Sequence, residues 1–425
     1  MMSSRIDSRL LSLAKFHIFC TVSLVAIIFI IYADGIIYTD SQNSVELKDK
    51  AVSQVLQTHS IERQFIKSDI TRKALRSMQE NVLDVVEVDT EDTSPVVAPF
   101  NVTEEERISW FRGKLPEFVI FYSDEKALQF HGRVLEFFDH KCETQFFMTW
   151  ISPARSFGSR EFLSMESVFR AHPRGCLMIL SRTMDSRRGY RLLKPLQDRG
   201  FKVHAVTPDL SFLFKNTPAE AWFAEMKTGN RDPGEIPLAQ NLSNLLRLAV
   251  LYKYGGVYLD TDFIVMKSFS GLRNSIGAQS MDAVSKNWTR LNNAVLVFDM
   301  NHPLLRKFIK EFALTFDGNK WGHNGPYLVS RVVQRVQNRP GYNFTVLPPM
   351  AFYPVDWTRI GGLFKKPKNH ADTKWINAKL LQLSEETYGV HLWNKQSSRV
   401  LIEEGSIMQR LISYHCVICK DIYSS

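Results

Sequence analysis

The sequence predicts an α/β domain built on a largely parallel sheet, held to a membrane by a short N-terminal anchor. From residue 144 onward, short apolar runs alternate with amphipathic helical segments, and one run ends in a pair of aspartates. An apolar stretch near the N-terminus predicts the anchor. With 425 residues, 44% of them apolar and 23% charged, the chain is long enough for a large core and too apolar to be disordered.

The N-terminal segment predicts a type II topology. Residues 16–33 are almost wholly apolar and long enough to cross a thin bilayer. No small-residue cleavage motif follows, which favours a signal anchor over a cleaved signal peptide. Because basic residues precede the apolar run, we expect residues 1–15 in the cytosol and the rest of the chain in a lumen. These basic residues are Arg5, Arg9 and Lys15.

Residues 34–107 are polar, acidic and poor in aromatic residues, which predicts a lumenal stem. Four glycosylation sequons fit a lumenal glycoprotein: Asn101, Asn241, Asn287 and Asn343. Four cysteines follow the anchor, an even number compatible with disulfides in an oxidising lumen. One possible pairing joins Cys142 to Cys176 and Cys416 to Cys419, although spacing alone does not fix the connectivity. A single C-x-x-C without a second ligand pair is weak support for a zinc site.

Three strand-and-helix units follow the stem. The runs 145–151, 176–180 and 201–206 predict strands, and the segments 159–172 and 187–200 predict the helices between them. Such alternation predicts parallel strands joined by right-handed crossovers. Thr217, Pro218 and Glu220 predict a capping box that opens a further helix. The sequence contains neither G-x-G-x-x-G nor G-x-x-x-x-G-K-[ST], so no nicotinamide fingerprint or P-loop explains this sheet.

The fourth unit, residues 241–266, predicts a metal site. Gly255 and Gly256 stop an amphipathic helix, and a strand runs directly into Asp260. Because side chains alternate along a strand, Asp260 and Asp262 project to one side, roughly 7 Å apart at Cα. Two such carboxylates suit Mn²⁺ or Mg²⁺, with phosphate oxygens or water completing the shell. Open α/β sheets bind ligands beyond the carboxyl ends of their strands, which is where this pair falls.

This unit resembles the DxD sugar-binding region of the GT-A glycosyltransferases. Specifically, it resembles the α-1,4-glycosyltransferase family (lactosylceramide 4-α-galactosyltransferase-like, glycosyltransferase family 32). NNAVLVFDMNHPLL at 292–305, WGHNGPYLVSRV at 321–332 and HLWNK at 391–395 look like that family's C-terminal conserved region. The resemblance implies a GT-A type, Rossmann-like nucleotide-diphospho-sugar transferase fold, with the DxD part in residues 108–300 and the conserved region in residues 301–425.

The resemblance also implies a function. We expect a manganese- or magnesium-dependent, retaining transferase in the Golgi membrane that moves a hexose or N-acetylhexosamine from a UDP-sugar to a glycan, glycolipid or glycoprotein. The net charge of +9 suits an anionic nucleotide donor or a membrane surface, and no clustered basic motif predicts a nucleic-acid partner. A catalytically silent lumenal protein that binds sugars or nucleotides is the alternative, because many wider relatives carry Asp where this chain has Asn244.

Site residues follow from the same resemblance. Arg247 and Asn244 share a helix face and are expected to contact the donor sugar and its phosphates as the catalytic pair. Tyr258 is expected to line the donor pocket and Trp150 to stack on the nucleobase, although core packing explains either residue. His391 or Asn394 is expected to supply a further metal ligand or a phosphate contact, with His391 taken as the metal ligand and a structural histidine as the alternative.

No second carboxylate pair stands out in the sequence, which argues against a glycosidase, since that enzyme class needs two acids. The sequence therefore leaves two classes open, a transferase and a silent binding protein. It favours the transferase.

Overall fold

The computed structural model describes residues 96–138 and 142–419. The predicted cytosolic tail, the predicted anchor and residues 34–95 of the predicted stem lie outside the described residues. Across the two described ranges, no helix has both the length and the apolar character needed to span a bilayer. All described residues fall within one compact unit, residues 89–425.

Nine strands are present in the described ranges, and most coincide with short apolar runs. They are β1 (Gln145–Thr149), β2 (Cys176–Leu180), β3 (Lys202–Val206), β4 (Gly256–Leu259), β5 (Phe263–Val265), β6 (Ser275–Met281), β7 (Trp288–Phe298), β8 (Thr345–Leu347) and β9 (Gly389–His391). Seven strands form one sheet in the order β3-β2-β1-β4-β7-β6-β8, and β5 pairs with β9 separately.

The large sheet is mixed. β1 to β4 are mutually parallel, as the alternation of strands and helices predicts. β7 instead runs antiparallel to both β4 and β6. β6 and β7 are joined by a short connection that contains no helix. Neighbouring strands can be joined in this way only if they are antiparallel. The prediction of a parallel sheet thus holds for the half that carries Asp260.

The α-helices are numbered in chain order. They are α1 (Glu104–Lys114), α2 (Glu125–Leu128), α3 (Phe130–Phe137), α4 (Ser159–Ala171), α5 (Arg187–Gln197), α6 (Leu210–Phe214), α7 (Ala219–Thr228), α8 (Leu238–Tyr254), α9 (Pro303–Thr315), α10 (Pro326–Val336), α11 (Pro349–Phe352), α12 (His370–Glu386), α13 (Asn394–Ser397) and α14 (Ile407–His415). Short 3₁₀ turns lie at Leu115–Glu117, Val119–Phe121, Ala154–Ser156 and Ile360–Phe364.

The predicted capping box at α7 is wrong in detail. Glu220 accepts the N–H of Asn216 at 2.9 Å, and Thr217 Oγ1 accepts that of Ala219 at 3.2 Å. A true box would need the N–H of Thr217, but this group already donates to Phe214 O at the end of α6. Because α6 takes up the N–H of Thr217, Glu220 binds the N–H of Asn216 instead, and the predicted box does not form.

The sheet separates two hydrophobic layers. Phe147 and Tyr258 belong to the layer that contains α8, whereas Phe146 and Val257 belong to the layer that contains α4. Because adjacent strand residues face opposite layers and both layers are apolar, the central strands are apolar throughout rather than alternating. α8 lies against this sheet and ends at Tyr254, and the next residue, Gly255, has a φ of 68° and turns the chain into β4.

Covalent and polar links close the fold. Both predicted disulfides are present, Cys142–Cys176 and Cys416–Cys419, with Cα atoms 5.6 Å and 5.0 Å apart. Arg107 donates to both carboxylate oxygens of Asp232, at 2.7 Å and 2.6 Å. The packed body therefore includes residues 104–107, which the sequence places in the stem.

The C-terminal part belongs to the same body, since β8 pairs with β6 and β9 pairs with β5. Three of the four sequons are exposed at Asn101, Asn287 and Asn343. Asn241, by contrast, is only 3% exposed, so the folded chain does not present it as an acceptor.

Candidate active site

Two neighbouring aspartates and a histidine from a distant part of the sequence meet where β4 ends. Asp260 follows the last residue of β4, and Asp262 directly precedes β5. β5 pairs antiparallel with β9 in a register that sets Phe263 opposite His391. One ligand atom from each of Asp260, Asp262 and His391 lies within 4.8 Å of the others. The two aspartates and the histidine predicted as metal ligands are thus brought together.

Each aspartate has one oxygen bound by the protein and one directed at His391. Asp260 Oδ1 pairs with Arg247 Nη1 at 3.0 Å, and Asp260 Oδ2 lies 3.9 Å from His391 Nε2. Asp262 Oδ2 accepts the backbone N–H of Asn394 at 2.8 Å, and Asp262 Oδ1 lies 3.3 Å from His391 Nε2. The oxygens that remain for a ligand therefore converge on one point.

This donor set fits a divalent cation. Carboxylates suit Mn²⁺ and Mg²⁺, and an imidazole nitrogen shifts the preference toward the transition metal. In the segment that follows His391, the buried side-chain oxygen Oδ1 of Asn394 has no hydrogen-bond partner. It is therefore a further oxygen that receives no hydrogen bond from the protein. Three protein ligands leave positions open for phosphate oxygens, which suits a site that binds a nucleotide.

Electrostatics couple the three groups. Burial alone would raise the pKa of Asp262, but the attraction and hydrogen bond from His391, together with the N–H of Asn394, hold that pKa below its usual value. Burial also disfavours the charged form of His391, yet the two aspartates outweigh it and raise the pKa of His391 to about 9. The carboxylate of Asp262 is therefore ionised at neutral pH, as a metal ligand must be, and His391 would release its proton on binding a metal.

Arg247 is the cation that holds Asp260. Its side chain is 4% exposed, and Nη1 also donates to Asn293 O at 2.9 Å. Nε donates to Ser243 O and Nη2 to Ser243 Oγ, both at 3.1 Å. The sequence expects Arg247 to contact the donor phosphates. In the structure its donors go to the protein, so the role that the structure shows is to position Asp260.

Tyr258 also binds the carboxylate of Asp260. Its hydroxyl donates to Asp260 Oδ1 at 3.0 Å and bonds Thr149 Oγ1 at 2.8 Å, while Arg247 lies 4.5 Å above its ring centroid. Tyr258 is only 1% exposed and lies beneath Asp260, and the expectation that it lines the donor pocket stays a prediction. The alternation of side chains along β4 gives its side of the sheet correctly but not its depth.

Asn244 is also satisfied internally. Its Oδ1 accepts from Asn293 Nδ2 at 2.8 Å, and its Nδ2 donates to Gln240 O at 3.2 Å. The residue is 7% exposed. The expected contact with a donor sugar is therefore not prepared in this structure, and Asn244 joins α8 to β7 instead.

Comparison with known proteins decides the family. A family model described as the alpha 1,4-glycosyltransferase conserved region matches residues 297–423, and one described as the glycosyltransferase sugar-binding region containing the DXD motif matches residues 158–282. The lactosylceramide 4-alpha-galactosyltransferase of Mus musculus is 33% identical over 265 residues, which cover 60% of this chain and 68% of that protein. The chain belongs to the α-1,4-glycosyltransferase family.

Two further relatives show the breadth of this family. The alpha-1,4-N-acetylglucosaminyltransferase of Homo sapiens is 26% identical over 220 residues, covering 49% of this chain and 58% of that protein. An uncharacterized protein of Arabidopsis thaliana is 30% identical over 308 residues, covering 70% of this chain and 46% of that protein. This chain thus spans less than half of the Arabidopsis relative and about two thirds of the mouse transferase.

Trp150 follows β1, the strand beside β4. It is half-buried, its indole N–H donates to Pro153 O at 3.2 Å, and Phe157 packs edge-on against its ring at 5.0 Å. The predicted stacking on a nucleobase stays a prediction. The position is compatible with it, because open α/β sheets bind ligands beyond the carboxyl ends of their strands where the strand order reverses, here between β1 and β4.

Sequence reasoning missed the residues that hold the ligands in place. Ser243 and Thr149 bind each other at 2.6 Å and connect Arg247 with Tyr258. Glu161 in α4 accepts from Asn394 Nδ2 at 3.3 Å and so steadies the segment after His391. No pattern in the sequence marks these groups, since each acts through a partner far away in the chain.

Proposed function

We propose that this chain is a metal-dependent, retaining glycosyltransferase of GT-A type. It would transfer a hexose or N-acetylhexosamine from a UDP-sugar to a hydroxyl group of a glycan, glycolipid or glycoprotein in the Golgi lumen. The observation that carries the proposal is the convergence of Asp260, Asp262 and His391 beyond the end of β4. Membership of a glycosyltransferase family supports the same reaction.

Asp260, Asp262 and His391 would hold Mn²⁺ or Mg²⁺. Such an ion would neutralise the charge that develops on the diphosphate as the sugar bond breaks. The chain's own contribution is preorganisation. Arg247 and Tyr258 fix one oxygen of Asp260, and the N–H of Asn394 fixes one oxygen of Asp262. The ligands therefore need little rearrangement when the donor binds.

The names of two relatives narrow the choice of donor sugar. One is named a galactosyltransferase and another an N-acetylglucosaminyltransferase, so UDP-galactose and UDP-N-acetylglucosamine are the donors we propose first. A glycolipid acceptor is proposed from the name of the mouse relative. Asn244, which Asn293 and Gln240 hold in place, gives no basis for choosing between the two donors.

We infer that transfer retains the anomeric configuration by same-face attack. Asp260 and Asp262 already pair with Arg247, His391 and Asn394, so neither is placed to attack the sugar. In the proposed route the acceptor oxygen forms a bond to the anomeric carbon as the bond to the diphosphate breaks on the same face. The acceptor proton passes to an oxygen of the departing diphosphate. This route needs no protein base.

The test is to incubate the full-length chain with Mn²⁺ and a panel of UDP-sugars and to measure UDP release with and without acceptor glycosides. We expect turnover with one hexose or N-acetylhexosamine donor, its loss with EDTA, and a decrease of about 100-fold or more in Asp260→Asn and Asp262→Asn. Binding of UDP-sugars without turnover would instead support the silent protein. A β-linked first product, by proton NMR, would contradict retention.

The proposed location has its own test. We propose a single-pass type II protein in the Golgi membrane, anchored by residues 16–33 with the catalytic body in the lumen. Protease added to intact microsomes should spare residues 108–425. Digestion of that body from outside, or a mature chain that starts after Ala33, would exclude the proposed topology.

A further inference from the structure

An exposed tryptophan lies beside the metal-ligand group. Trp321 belongs to the turn between α9 and α10 and is 52% exposed. The ammonium of Lys395 lies 3.5 Å from the centroid of its ring. Lys395 follows Asn394, whose backbone N–H binds Asp262. The side chain of Lys395 therefore spans the distance between Trp321 and the segment that holds Asp262.

The turn that carries Trp321 is fixed to the rest of the fold. Gly322 has a φ of 74°, and its carbonyl accepts the N–H of Gly325 at 3.1 Å. Asn324 is 2% exposed, and its side-chain amide donates to Asn241 Oδ1 in α8 at 2.9 Å and to Asp317 O at 2.8 Å. An indole presented on a fixed backbone loses little conformational freedom when it is covered, which is how binding sites use rigid aromatic side chains.

The same turn also reaches the ligand group through β7. A Cβ atom on Gly325 would lie 2.7 Å from Asn244 Oδ1 and 3.2 Å from Asn293 Oδ1, so the backbone of the turn packs directly on these amides. Asn293 in turn accepts from Arg247. The turn is thus joined to the site at two places.

Position in the sheet indicates which substrate Trp321 would meet. β4, which leads into Asp260, lies between β1 and β7. Trp150 follows β1, whereas the turn with Trp321 packs against the β7 residue Asn293. Trp150 thus follows a strand on one side of β4, and the turn that carries Trp321 contacts a strand on the other side. If the nucleotide lies on the β1 side, the β7 side is left for the acceptor.

We propose that Trp321 is the stacking platform for the acceptor, binding a hexopyranose ring of the acceptor glycan and so determining acceptor specificity. The proposal rests on the transferase function proposed above. A pyranose has a face of C–H groups that packs on an aromatic ring while its hydroxyls stay solvated, and an exposed indole suits this contact. Lys395 covers part of the ring and supplies a donor for an acceptor hydroxyl.

The kinetic test separates acceptor binding from donor chemistry. In the full-length chain, we expect Trp321→Ala to raise the acceptor KM about tenfold or more. UDP-sugar hydrolysis without acceptor and the donor KM should stay within about twofold of wild type, because Trp321 contacts none of the metal-ligand side chains. Trp321→Phe should recover most of the lost affinity. Trp375→Ala, at a tryptophan 53% exposed on α12, is the matched control and should leave both constants unchanged.

A binding measurement keeps the proposal testable without turnover. Saturation-transfer NMR of methyl β-lactoside and methyl N-acetyl-β-glucosaminide, with UDP and diamagnetic Mg²⁺ present, should show saturated ring C–H protons of at least one glycoside with wild type and Trp375→Ala but not with Trp321→Ala. Equal saturation in Trp321→Ala, no saturation of either glycoside by wild type, or a parallel loss of donor hydrolysis in Trp321→Ala would overturn the platform. Glycoside binding without any donor turnover in wild type would refute the proposed function alone.

Discussion

Replacing Arg247 by methionine removes the cation that holds Asp260. The guanidinium contacts Asp260 Oδ1 at 3.0 Å, Asn293 O at 2.9 Å, and Ser243 through both its carbonyl and its hydroxyl at 3.1 Å. Methionine keeps much of the apolar stem but none of these donors. The substitution therefore leaves the carboxylate of Asp260 without its cation, although the hydroxyl of Tyr258 still donates to Oδ1, and it removes one donor each from Asn293 O and Ser243 O.

The expected cost follows from burial. Removing one partner of a buried ion pair costs about 3–5 kcal/mol of folding free energy. The Asp260 side chain is 26% exposed, so water can solvate part of the unpaired charge, and the lower value of about 3 kcal/mol is expected. For a folded body of this size, a loss of about 3 kcal/mol lowers Tm by about 4–5 °C.

The assay is thermal unfolding of the full-length chain in detergent with EDTA, followed by intrinsic fluorescence. The double variant Arg247→Met, Asp260→Asn should lose less than Arg247→Met alone, because no charge is stranded. Arg359→Met is the control, since Arg359 pairs with Asp356 but is 80% exposed and should cost at most about 1 kcal/mol. Strictly additive effects of the two site substitutions, or an Arg247→Met variant as stable as the control, would refute the view that Arg247 acts by pairing with Asp260.

Two further predictions concern groups outside the ligand set. His172 Nε2 accepts the N–H of Phe269 at 3.1 Å, and burial lowers the pKa of His172 to about 4, so below about pH 6.5 the unfolded chain takes up a proton that the folded chain refuses. His172 alone should therefore cost roughly 2 kcal/mol of stability between pH 7.5 and pH 5, while His415, whose pKa burial lowers to about 4, adds to this loss and His391, whose pKa is raised, opposes it. The Tm of His172→Gln should fall less than that of the wild type over this window; an identical pH dependence in both would rule out a contribution from His172. Gly325→Ala should lower Tm by a few degrees, because its added Cβ would contact Asn244 at a cost of about 1–3 kcal/mol of folding free energy. Gly361→Ala is the control, since no atom lies near its added Cβ, and its Tm should not change. Equal Tm values for the two variants would show that the turn moves to accommodate the added methyl group without cost.

Local patterns in the sequence predict the half of the fold that carries the site. The strands β1 to β4 coincide with apolar runs, because both faces of the central sheet are covered and the runs need no alternation. The side of β4 on which Asp260 lies follows from the period of a strand. The antiparallel β7 and the pairing of β5 with β9 are different, since no local pattern encodes which distant strand becomes a neighbour.

The same distinction applies to the site. The spacing of Asp260 and Asp262 predicts a metal site, whereas His391 was predicted only by resemblance, because it reaches the aspartates through the β5–β9 pair. Tyr258 and Arg247 are on the predicted side of the sheet and helix, but they are buried beneath the carboxylate rather than open to a donor. How deeply these side chains are buried depends on the packing of α8 and β7, and the periodicity of the sequence gives no information about that packing.

Pulsed electron paramagnetic resonance of Mn²⁺ bound to the full-length chain tests the central claim most directly, because it reports the ligand atoms themselves. The convergence of Asp260, Asp262 and His391 predicts one tightly bound Mn²⁺ whose spectrum shows coupling to a single directly coordinated imidazole nitrogen. His391→Gln should abolish this coupling while Trp375→Ala preserves it, and Asp260→Asn or Asp262→Asn should weaken binding by about tenfold or more. Mn²⁺ binding without nitrogen coupling in wild type, or no saturable Mn²⁺ binding with UDP present, would contradict the metal centre on which the proposed function rests.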